Sequence, residues 1–559
     1  MKKVLTKCTS IVLVLMMAVS LAACGSKETS GETVQEQTGE STSAGSEEQS
    51  TGAEQAEPEV SAQADPFGKY ESPITVTTMM LEDNIRNAPE SMTMEDNPWI
   101  SLFKEYGINV EYKISGSQSD LDTKLNMAIA TNDLPDIMQV SAQQFQELSE
   151  AGYLADLTEA FEQYATPETK AMYMQDGGIM MQNGYVDGQL LGLVSPGGYQ
   201  DFIPIVSIRT DWLKECGLEE PKTMDDLWNI AKVFKEKKME GTCTIGIGMT
   251  QNVTDLLTPT IGLLNGYHAY ANIWLEKDGA LVNSSIQPEM KAALAALAEK
   301  YEEGLIDPEF GTKDNAKLME DILSGKAGVL VSHYCAPFDL LNGIAAGQEW
   351  SFYSMPSPDG ELVRAQFSLA FSGALCYSAK GENPEALIKM LNIFTKYVAE
   401  DPATYNDNAV RNFAYPTITS AISGNNDIHK EYLEFLETGV TPATVTQGYD
   451  STVEAAEKYR ESGDIDGYTM WGVFGPEGTE VEVSKAIEND AYMIDAFTGA
   501  PSESMTEYNS VLKSMTDQMI TDIIRGAKPL DYFEEYVEDW KANGGDQITE
   551  EVNEWYGKK

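Results

Sequence analysis

The sequence predicts an α/β fold built on an open, mostly parallel sheet. Residues 108–114 alternate apolar and polar side chains, which is typical of a strand. Residues 121–129 repeat apolar side chains every three or four positions, which indicates one buried face of a helix. Residues 137–140 then form a short apolar run of strand length. Strand, helix and strand in this order form the right-handed crossover unit of a parallel sheet.

Local signals mark the ends of these elements. Pro135 disfavours helical geometry at the residue before it, so the helix ends near residue 131. Ser141 and Gln144 have the spacing of a capping box, which predicts that a second helix begins there. Upstream, residues 74–80 predict the first strand, and Asp83 follows its carboxyl end. Ligands of open α/β sheets bind at that edge, although a plain polar loop is the alternative for residues 82–84.

The composition sets limits on domain number and partners. A chain of 559 residues predicts several domains. With 89 acidic and 38 basic residues, the formal net charge is −51. Such a charge excludes a general nucleic-acid binder, which needs basic patches, and it opposes electrostatic docking on anionic lipid.

The N-terminus has the features of an export signal. Lysines precede an apolar run at residues 11–19, which is short for a membrane span. Residues 21–25 read LAACG and resemble a bacterial lipobox. The resemblance implies a signal peptide over residues 1–23 and a diacylglyceryl group on Cys24, where two acyl chains give stable anchoring. The alternative is an ordinary secretory signal with an incidental cysteine.

Residues 24–66 are predicted to form a disordered tether. They are rich in Ser, Thr, Gly, Glu and Gln, and residues 25–64 contain no aromatic side chain. Such a segment buries too little apolar area to order itself. As a flexible chain, about 40 residues reach on the order of 35 Å.

The remaining cysteines show no metal or redox motif. None of them has CxxC spacing, which gives no support for a zinc cluster or a thioredoxin-type site. Buried free thiols are favoured, but the sequence leaves three complete disulfide pairings open. The four are Cys216, Cys243, Cys335 and Cys376.

Three segments resemble one protein family. They are KLNMAIATNDLPDIM followed by GYLADL, then IRTDWLKECGLEEPKTMDDL, then YEEGLIDPEF, beginning at residues 124, 208 and 301. They resemble extracellular solute-binding proteins that serve ABC sugar importers. The resemblance implies a two-lobe, type II periplasmic-binding-protein-like fold with hinge crossings. The expected limits are residues 67–198 and 372–465 for lobe 1, and 199–371 and 466–559 for lobe 2.

The same resemblance implies a function. We expect a monomeric, non-enzymatic receptor, held by lipid on the extracellular face of the cell membrane. It would capture carbohydrate, with an oligosaccharide favoured, and deliver it to ABC permease transmembrane subunits. Only three histidines are present, and no HExxH, P-loop or strand-linked GxGxxG motif occurs. The alternatives are a receptor for a peptide or other organic solute, a surface polysaccharide-degrading enzyme, and an adhesive lipoprotein.

Carbohydrate recognition predicts particular side chains. Aromatic rings cover the apolar faces of sugars, and polar side chains bond their hydroxyls. Position at a lobe crossing or a strand end selects the candidates, and the resemblance adds an aromatic just beyond the strand at residues 327–331. The predicted ligand contacts are Asp83, Tyr199, Asp201, Trp274, Tyr334 and Trp471.

Other residues are predicted not to take part. Trp212 and Trp228 lie on helical apolar stripes and are assigned to packing. Many relatives carry a calcium-type acidic loop after the second of these helices. Residues 235–241 read KEKKMEG instead, so no metal and no cofactor is predicted.

Overall fold

The structure is a computed structural model. It describes residues 64–557 apart from residues 87, 90, 197–199, 256–257, 370, 406–407, 419–423, 443–444 and 447. The predicted signal peptide, Cys24 and nearly all of the predicted tether lie outside the described residues, as does Tyr199. Residues Asp65–Lys559 group as one unit.

The strands follow the chain as β1 to β13. They are Ile74–Leu81, Ile108–Gly116, Ile137–Ser141, Tyr185–Val186, Gln189–Leu190, Ile205–Arg209, Trp274–Lys277, Ala280–Asn283, Val329–Ser332, Trp350–Ser354, Ala365–Phe367, Gly373–Tyr377 and Tyr492–Ile494.

The α-helices of the described residues are more numerous than the strands. The first half has α1 to α13: Glu82–Ile85, Pro98–Glu105, Gln118–Thr131, Ala142–Glu150, Thr158–Tyr164, Pro167–Tyr173, Thr210–Cys216, Met224–Lys237, Pro259–Gly266, Pro288–Glu302, Asn315–Leu323, Ala336–Asp339 and Leu341–Ala345. The second half has α14 to α23: Glu385–Glu400, Pro402–Tyr405, Asn408–Arg411, Gly424–Thr438, Tyr449–Ser462, Tyr468–Phe474, Glu480–Glu488, Glu503–Ile524, Tyr532–Trp540 and Asp546–Tyr556.

The predicted crossover unit is present. Strand β2, helix α3 and strand β3 follow one another within two residues of the predicted limits at most boundaries. Strand β2 pairs parallel with β1, from Ile74 opposite Ile108. Strand β3 lies beside β1, because the hydroxyl of Thr78 donates to the Ile137 carbonyl at 3.2 Å. The prediction of strand, helix, strand and helix is confirmed.

Strand direction differs from the prediction in the other ladders. Strand β12 pairs antiparallel with β3, and β6 pairs antiparallel with both β9 and β10. The expected mostly parallel sheets are therefore wrong in this detail. Strands β3 and β12 are far apart in sequence, so the chain returns to the sheet from the opposite end, a feature that local periodicity does not encode.

Side-chain caps fix the helix starts that the sequence indicated. The hydroxyl of Ser141 accepts from the Gln144 backbone, and the Gln144 side chain accepts from the Ser141 backbone. Thr223 and Asp226 form the same reciprocal cap on α8. Each cap satisfies N–H groups that would otherwise lack a partner.

The structure has two large apolar cores, and the chain passes from one core to the other. One includes buried side chains from Val76 to Leu193 and again from Leu375 to Ala414. The other includes Val206 to Met355 and the end of the chain from Phe497. The chain thus passes between the cores near residues 194–205 and 356–374, and a third time between residues 414 and 497. A third cluster, which contains Met79 and Trp350, joins them.

The aromatic residues and glycines of Gly467–Gly475 predict a glycine-bent loop, and this prediction is wrong, because Tyr468–Phe474 is helix α19. The sequence also predicts closing helices over residues 508–525, 532–541 and 549–555. All three are present, and α21 begins earlier than predicted, at Glu503.

The cysteines and tryptophans also follow the prediction. Cys216, Cys243, Cys335 and Cys376 are free, and the second and fourth are buried. Trp212 and Trp228 are buried in one core. Among the described residues, no helix combines the length and apolarity that crossing a bilayer needs.

A buried ion network holds one core together. The ammonium of Lys313 lies between the carboxylates of Asp307 and Asp321, and all three side chains are at most 3% exposed. Lys326 adds a second ammonium to Asp321 at 2.7 Å. The buried negative charges are thereby matched by cations.

Replacing Lys313 by methionine should lower the free energy of unfolding by about 3–5 kcal/mol, because it leaves two buried carboxylates short of their shared cation. Urea unfolding followed by circular dichroism measures the change. Lys317→Met is the matched control, since Lys317 pairs with Glu320 on the surface and should change stability by less than about 1 kcal/mol. Equal effects of the two substitutions would contradict this account.

Candidate functional site

Asp201 is a buried carboxylate where the chain passes between the cores. It is 7% exposed, and no donor within the described part of the chain reaches its Oδ1 atom. The side chain of Asn425 donates to this carboxylate. Burial, followed by the neighbouring charge of Asp427, raises the pKa of Asp201 to about 7.

Glu480 is a second buried carboxylate of the same neighbourhood. It is the first residue of helix α20 and is fully buried, and its Oε1 atom accepts from none of the described residues. The carboxamide nitrogen of Asn426 donates to Glu480 Oε2 at 3.2 Å and to its carbonyl at 3.1 Å. Burial raises the pKa of Glu480 well above its ordinary value, and the charge of Asp201 raises it further.

A tight turn places Glu480. The Thr479 backbone N–H donates to the Gly472 carbonyl at 3.0 Å, so the chain folds back directly after α19. A Cβ atom at Gly478 would lie 2.3 Å from the Val473 carbonyl oxygen, which excludes any larger residue there without movement. The Thr479 hydroxyl donates to the Tyr334 carbonyl at 2.7 Å and ties this turn to the segment after β9.

Aromatic rings lie next to the carboxylates. The ring of Phe202 meets Tyr334 edge to face at 5.8 Å between centroids and stacks on Phe367 at 6.2 Å. All three are half-buried. Burial, then the Cys335 thiol, raises the pKa of Tyr334, so its hydroxyl stays protonated. Burial lowers the pKa of His333 to about 4, so this neighbour is uncharged at neutral pH.

Trp471 belongs to an adjoining aromatic cluster. It lies half-buried on α19, with its ring 6.5 Å from Tyr432 and 6.3 Å from Tyr459. Trp471 and Tyr334 both pack against the same buried cluster of α17, α18 and α19. The structure therefore brings Asp201 and Tyr334 into one site and Trp471 to its side.

Two predicted contacts lie elsewhere. Asp83 is on the short helix α1, exposed, and paired with Arg86. Trp274 is 5% exposed and packs in the core that contains Val206 and Phe497. No contact joins either residue to the Asp201 neighbourhood in the part of the chain that the structure describes. Their ligand contacts stay predictions.

The sequence analysis missed several members of the site. The sequence could have indicated Phe202, because this aromatic residue directly follows Asp201. Glu480 and Asn426 gave no signal, since a single acid among 89 acidic residues and an amide in a polar run look like surface residues. Only the fold brings helices α17 and α20 against the crossing segment.

The loop expected to lack a metal is held by protein groups. The carboxylate of Glu240 accepts from the Arg209 guanidinium, and it accepts from Trp212 Nε1 at 3.2 Å. Arg209 is 1% exposed and also pairs with Asp211 at 2.6 Å. Within the described ranges, no cluster of three or more His, Cys, Asp or Glu residues could hold a metal ion.

Known proteins resemble this chain along most of its length. A family model for bacterial extracellular solute-binding proteins matches residues 91–361. Lipoprotein LipO of Bacillus subtilis is 23% identical over 492 residues, which are 84% of this chain and 90% of LipO. The polygalacturonan/rhamnogalacturonan-binding protein YtcQ of the same organism is 22% identical, over 78% of this chain and 82% of YtcQ.

The fold has solved counterparts. An HMO-binding, ABC-transporter-associated solute-binding protein from Bifidobacterium longum infantis superimposes with a TM-score of 0.57 at 16% identity. The match covers 87% of this chain and 99% of that one. The two-lobe, type II binding-protein fold is thus confirmed, whereas the exact lobe limits given above stay predictions.

Replacing Asp201 by asparagine should stabilise the protein at high pH. The folded-state pKa of Asp201 lies above its unfolded value, so the ionised form is disfavoured by folding and stability falls as pH rises from about 4 to 7. The substitution removes this penalty, and its gain should grow by up to about 4 kcal/mol between pH 4 and pH 8.

Chemical denaturation at both pH values measures this gain. Asp122→Asn is the control, because Asp122 is exposed on α3, and its effect should not grow with pH in this way. A gain for Asp201→Asn that is the same at pH 4 and pH 8 would contradict the burial argument.

Proposed function

This chain belongs to the bacterial extracellular solute-binding protein family, and we propose that it captures a carbohydrate outside the cell and delivers it to an ABC permease. The family consists of binding proteins, so the chain is a receptor and not an enzyme. The proposed ligand is an oligosaccharide.

One observation carries the proposal of a carbohydrate. The half-buried rings of Phe202, Tyr334 and Phe367 lie beside the buried carboxylate of Asp201, next to the place where the chain passes between its two cores. A sugar ring presents apolar C–H groups on its faces and hydroxyl donors at its edges. Aromatic surface and unpaired acceptor oxygens are the complementary groups.

The position of the site favours capture by closure. Residue 201 lies on a crossing segment, and α17 and α20 approach it from other parts of the chain. A ligand that contacts all of these segments shifts the population toward the closed form, because only that form makes every contact. The permease would then receive the ligand-bound, closed protein.

The names of relatives agree with this class of ligand. YtcQ is named for polygalacturonan and rhamnogalacturonan binding, and the Bifidobacterium protein for HMO binding and an ABC transporter. LipO is named as a lipoprotein, in keeping with the proposed lipid on Cys24. The protein would work at the extracellular face of the membrane, with the tether setting its reach.

A thermal-shift screen should identify the ligand class. A glycan that binds only the folded protein raises the melting temperature, by an amount equivalent to about 2.7 kcal/mol at 100 times its Kd. The screen compares oligosaccharides with peptides and other organic solutes. Stabilisation by a peptide and by no glycan would overturn the proposed ligand, and release of reducing ends from a glycan would overturn the receptor assignment.

Replacing Tyr334 by alanine should weaken binding of the stabilising glycan by about tenfold, because the sugar loses an aromatic face. Calorimetric titration measures the Kd. Tyr334→Phe keeps the ring and should stay within about threefold of the parent. Tyr185→Ala is the control, since Tyr185 is an exposed tyrosine on β4. The same loss from Tyr185→Ala and Tyr334→Ala would remove Tyr334 from the site.

Replacing Cys24 by alanine should release the protein from cells into the medium, because the lipid can no longer be attached and no second anchor is proposed. Immunoblots of membrane and medium fractions measure the distribution, with Cys243→Ala as a control thiol. Full retention of Cys24→Ala on membranes would contradict lipid anchoring through this residue.

A further inference from the structure

The neighbourhood of Asp201 has more acceptors than donors. We call Asp201, Asn425, Asn426, Asp427 and Glu480 the acceptor group. Three of its oxygens are buried and accept no hydrogen bond from the residues that the structure describes, and these are Asp201 Oδ1, Asn426 Oδ1 and Glu480 Oε1. The side chains that carry them are at most 7% exposed. This is an unfinished hydrogen-bond arrangement, not a surface cluster of acids.

Within the described residues, no Lys or Arg side chain pairs with the carboxylates of Asp201 or Glu480, whereas Lys313 lies between the buried carboxylates of Asp307 and Asp321. Lys430 is the basic side chain that lowers the pKa of Glu480, and it is exposed. By contrast, the equally buried Asp495 accepts from Trp274 N–H at 2.9 Å, Phe497 N–H at 3.0 Å and the Ser368 hydroxyl at 3.1 Å. The fold satisfies a buried carboxylate where the role is structural.

Buried carboxylates with too few donors are unfavourable unless something supplies protons or positive charge. A sugar hydroxyl supplies one donor. A sugar ammonium supplies three donors and a positive charge. A uronate carboxylate supplies no donor when ionised and adds a negative charge, which the low-dielectric surroundings make more repulsive than in water.

Resting on the proposed function, we propose that the acceptor group selects the saccharide by charge: it binds an amino-sugar unit in preference to the N-acetylated unit and rejects uronates. Asn425, Asp427 and Tyr334 are only half-buried, so the sugar would approach the acceptor group past these side chains. The acids are contributed by a crossing segment and two helices, so the ligand's donors also hold these three elements together.

The proposal has a consequence for proton exchange. Burial, followed by the charge of Asp427, raises the pKa of Asp201 to about 7, and burial, followed by the charge of Asp201, raises the pKa of Glu480, so both acids hold protons to higher pH than ordinary carboxyl groups do. An ammonium that approaches these oxygens favours their ionised form, so binding of an amino sugar should release protons and tighten as pH rises from about 5 to 7. The other titratable or charged groups around Asp201 and Glu480 are Asp427, Lys430, Tyr334, Cys335 and Asp339.

Three tetrasaccharides of equal length test the selection. They are β-1,4-linked glucosamine, its N-acetylated form, and α-1,4-linked galacturonic acid, each titrated calorimetrically against the full chain near neutral pH. We expect the glucosamine oligomer to bind at least about tenfold more tightly than the N-acetylated one, and the galacturonic acid oligomer not to bind. Titration in buffers of different ionisation enthalpy should show proton release for the glucosamine oligomer alone.

The result separates this inference from the proposed function. Equal binding of the amine and its N-acetylated form, no binding of the amine, or binding of the uronate as tight as the amine would each overturn charge selection. The proposed function falls only if no glycan of the wider screen binds.

Two substitutions connect the selection to the residues. Glu480→Gln and Asp427→Asn each replace an acid, which can pair with an ammonium in its ionised form, by a neutral amide of nearly the same shape, and either should reduce the amine-to-N-acetyl preference to within about threefold. Asp339→Asn is the matched control, because Asp339 is a nearby buried acid outside the acceptor group. If Glu480→Gln fails to fold, the half-buried Asp427 still provides the test. Retention of the full preference in Asp427→Asn would contradict the assignment.

Discussion

The shortage of hydrogen-bond donors around Asp201 and Glu480 is the constraint on which the site depends. Elsewhere in the fold, the buried cations Lys313 and Arg209 pair with side chains of opposite charge. Lys313 lies between two aspartates, and the Arg209 guanidinium is shared by Asp211 and Glu240. A buried carboxylate with too few hydrogen-bond donors lowers stability. The buried acids of the cores have their partners, whereas Asp201 and Glu480 at the crossing segment have too few. This difference indicates that the two acids serve a function. Binding a donor-rich ligand is such a function, in line with the tendency of perturbed acids to lie at functional sites.

The residues that lack hydrogen-bond donors come from distant parts of the chain, so a ligand that supplies the donors links these parts. Asp201 lies on the segment before β6, Asn426 on α17 and Glu480 at the start of α20. The hydroxyl of Tyr492 donates to the Gln200 carbonyl at 2.8 Å, so β13 also holds this segment. A ligand that completes the hydrogen bonds therefore acts on several segments at once. Such shared contacts are what a closing receptor needs, since a ligand shifts a conformational equilibrium only by its differential contacts.

The sequence predicted the parts of the fold that depend on neighbouring residues. The cap at Ser141, the strand at residues 74–80 and the buried faces of α3 and α8 follow from local spacing, and all are present. The direction of β12 and the helix at Tyr468–Phe474 do not follow from it. Periodicity does not specify the direction in which a distant strand pairs. The two glycines that bound α19 favour turns, and local sequence does not show that the Thr479 N–H donates to the Gly472 carbonyl after this helix.

The site likewise has residues that the sequence could indicate and residues that it could not. Asp201 and Tyr334 could be placed near each other because both follow recognisable boundaries in the chain. Glu480 and Asn426 could not, because their meaning comes from burial, and burial of an acid cannot be inferred from an acidic composition. Trp274 shows the opposite failure, since a large aromatic in a strand is as suited to a core as to a sugar, and here it is buried.

Net charge and local charge point to the same ligands. A formal net charge of −51 gives the whole molecule a negative field, which raises the local concentration of cations and lowers that of polyanions. At the ionic strength outside a cell this field is screened within roughly 10 Å, so it affects encounter more than the bound state. Salt ions screen the long-range field but have little access to the buried oxygens of the acceptor group. The acceptor group therefore acts on a ligand at contact distance. Attraction at long range and hydrogen bonding at contact thus favour an amine-bearing sugar at both steps, whereas a polyuronate meets repulsion at each of them.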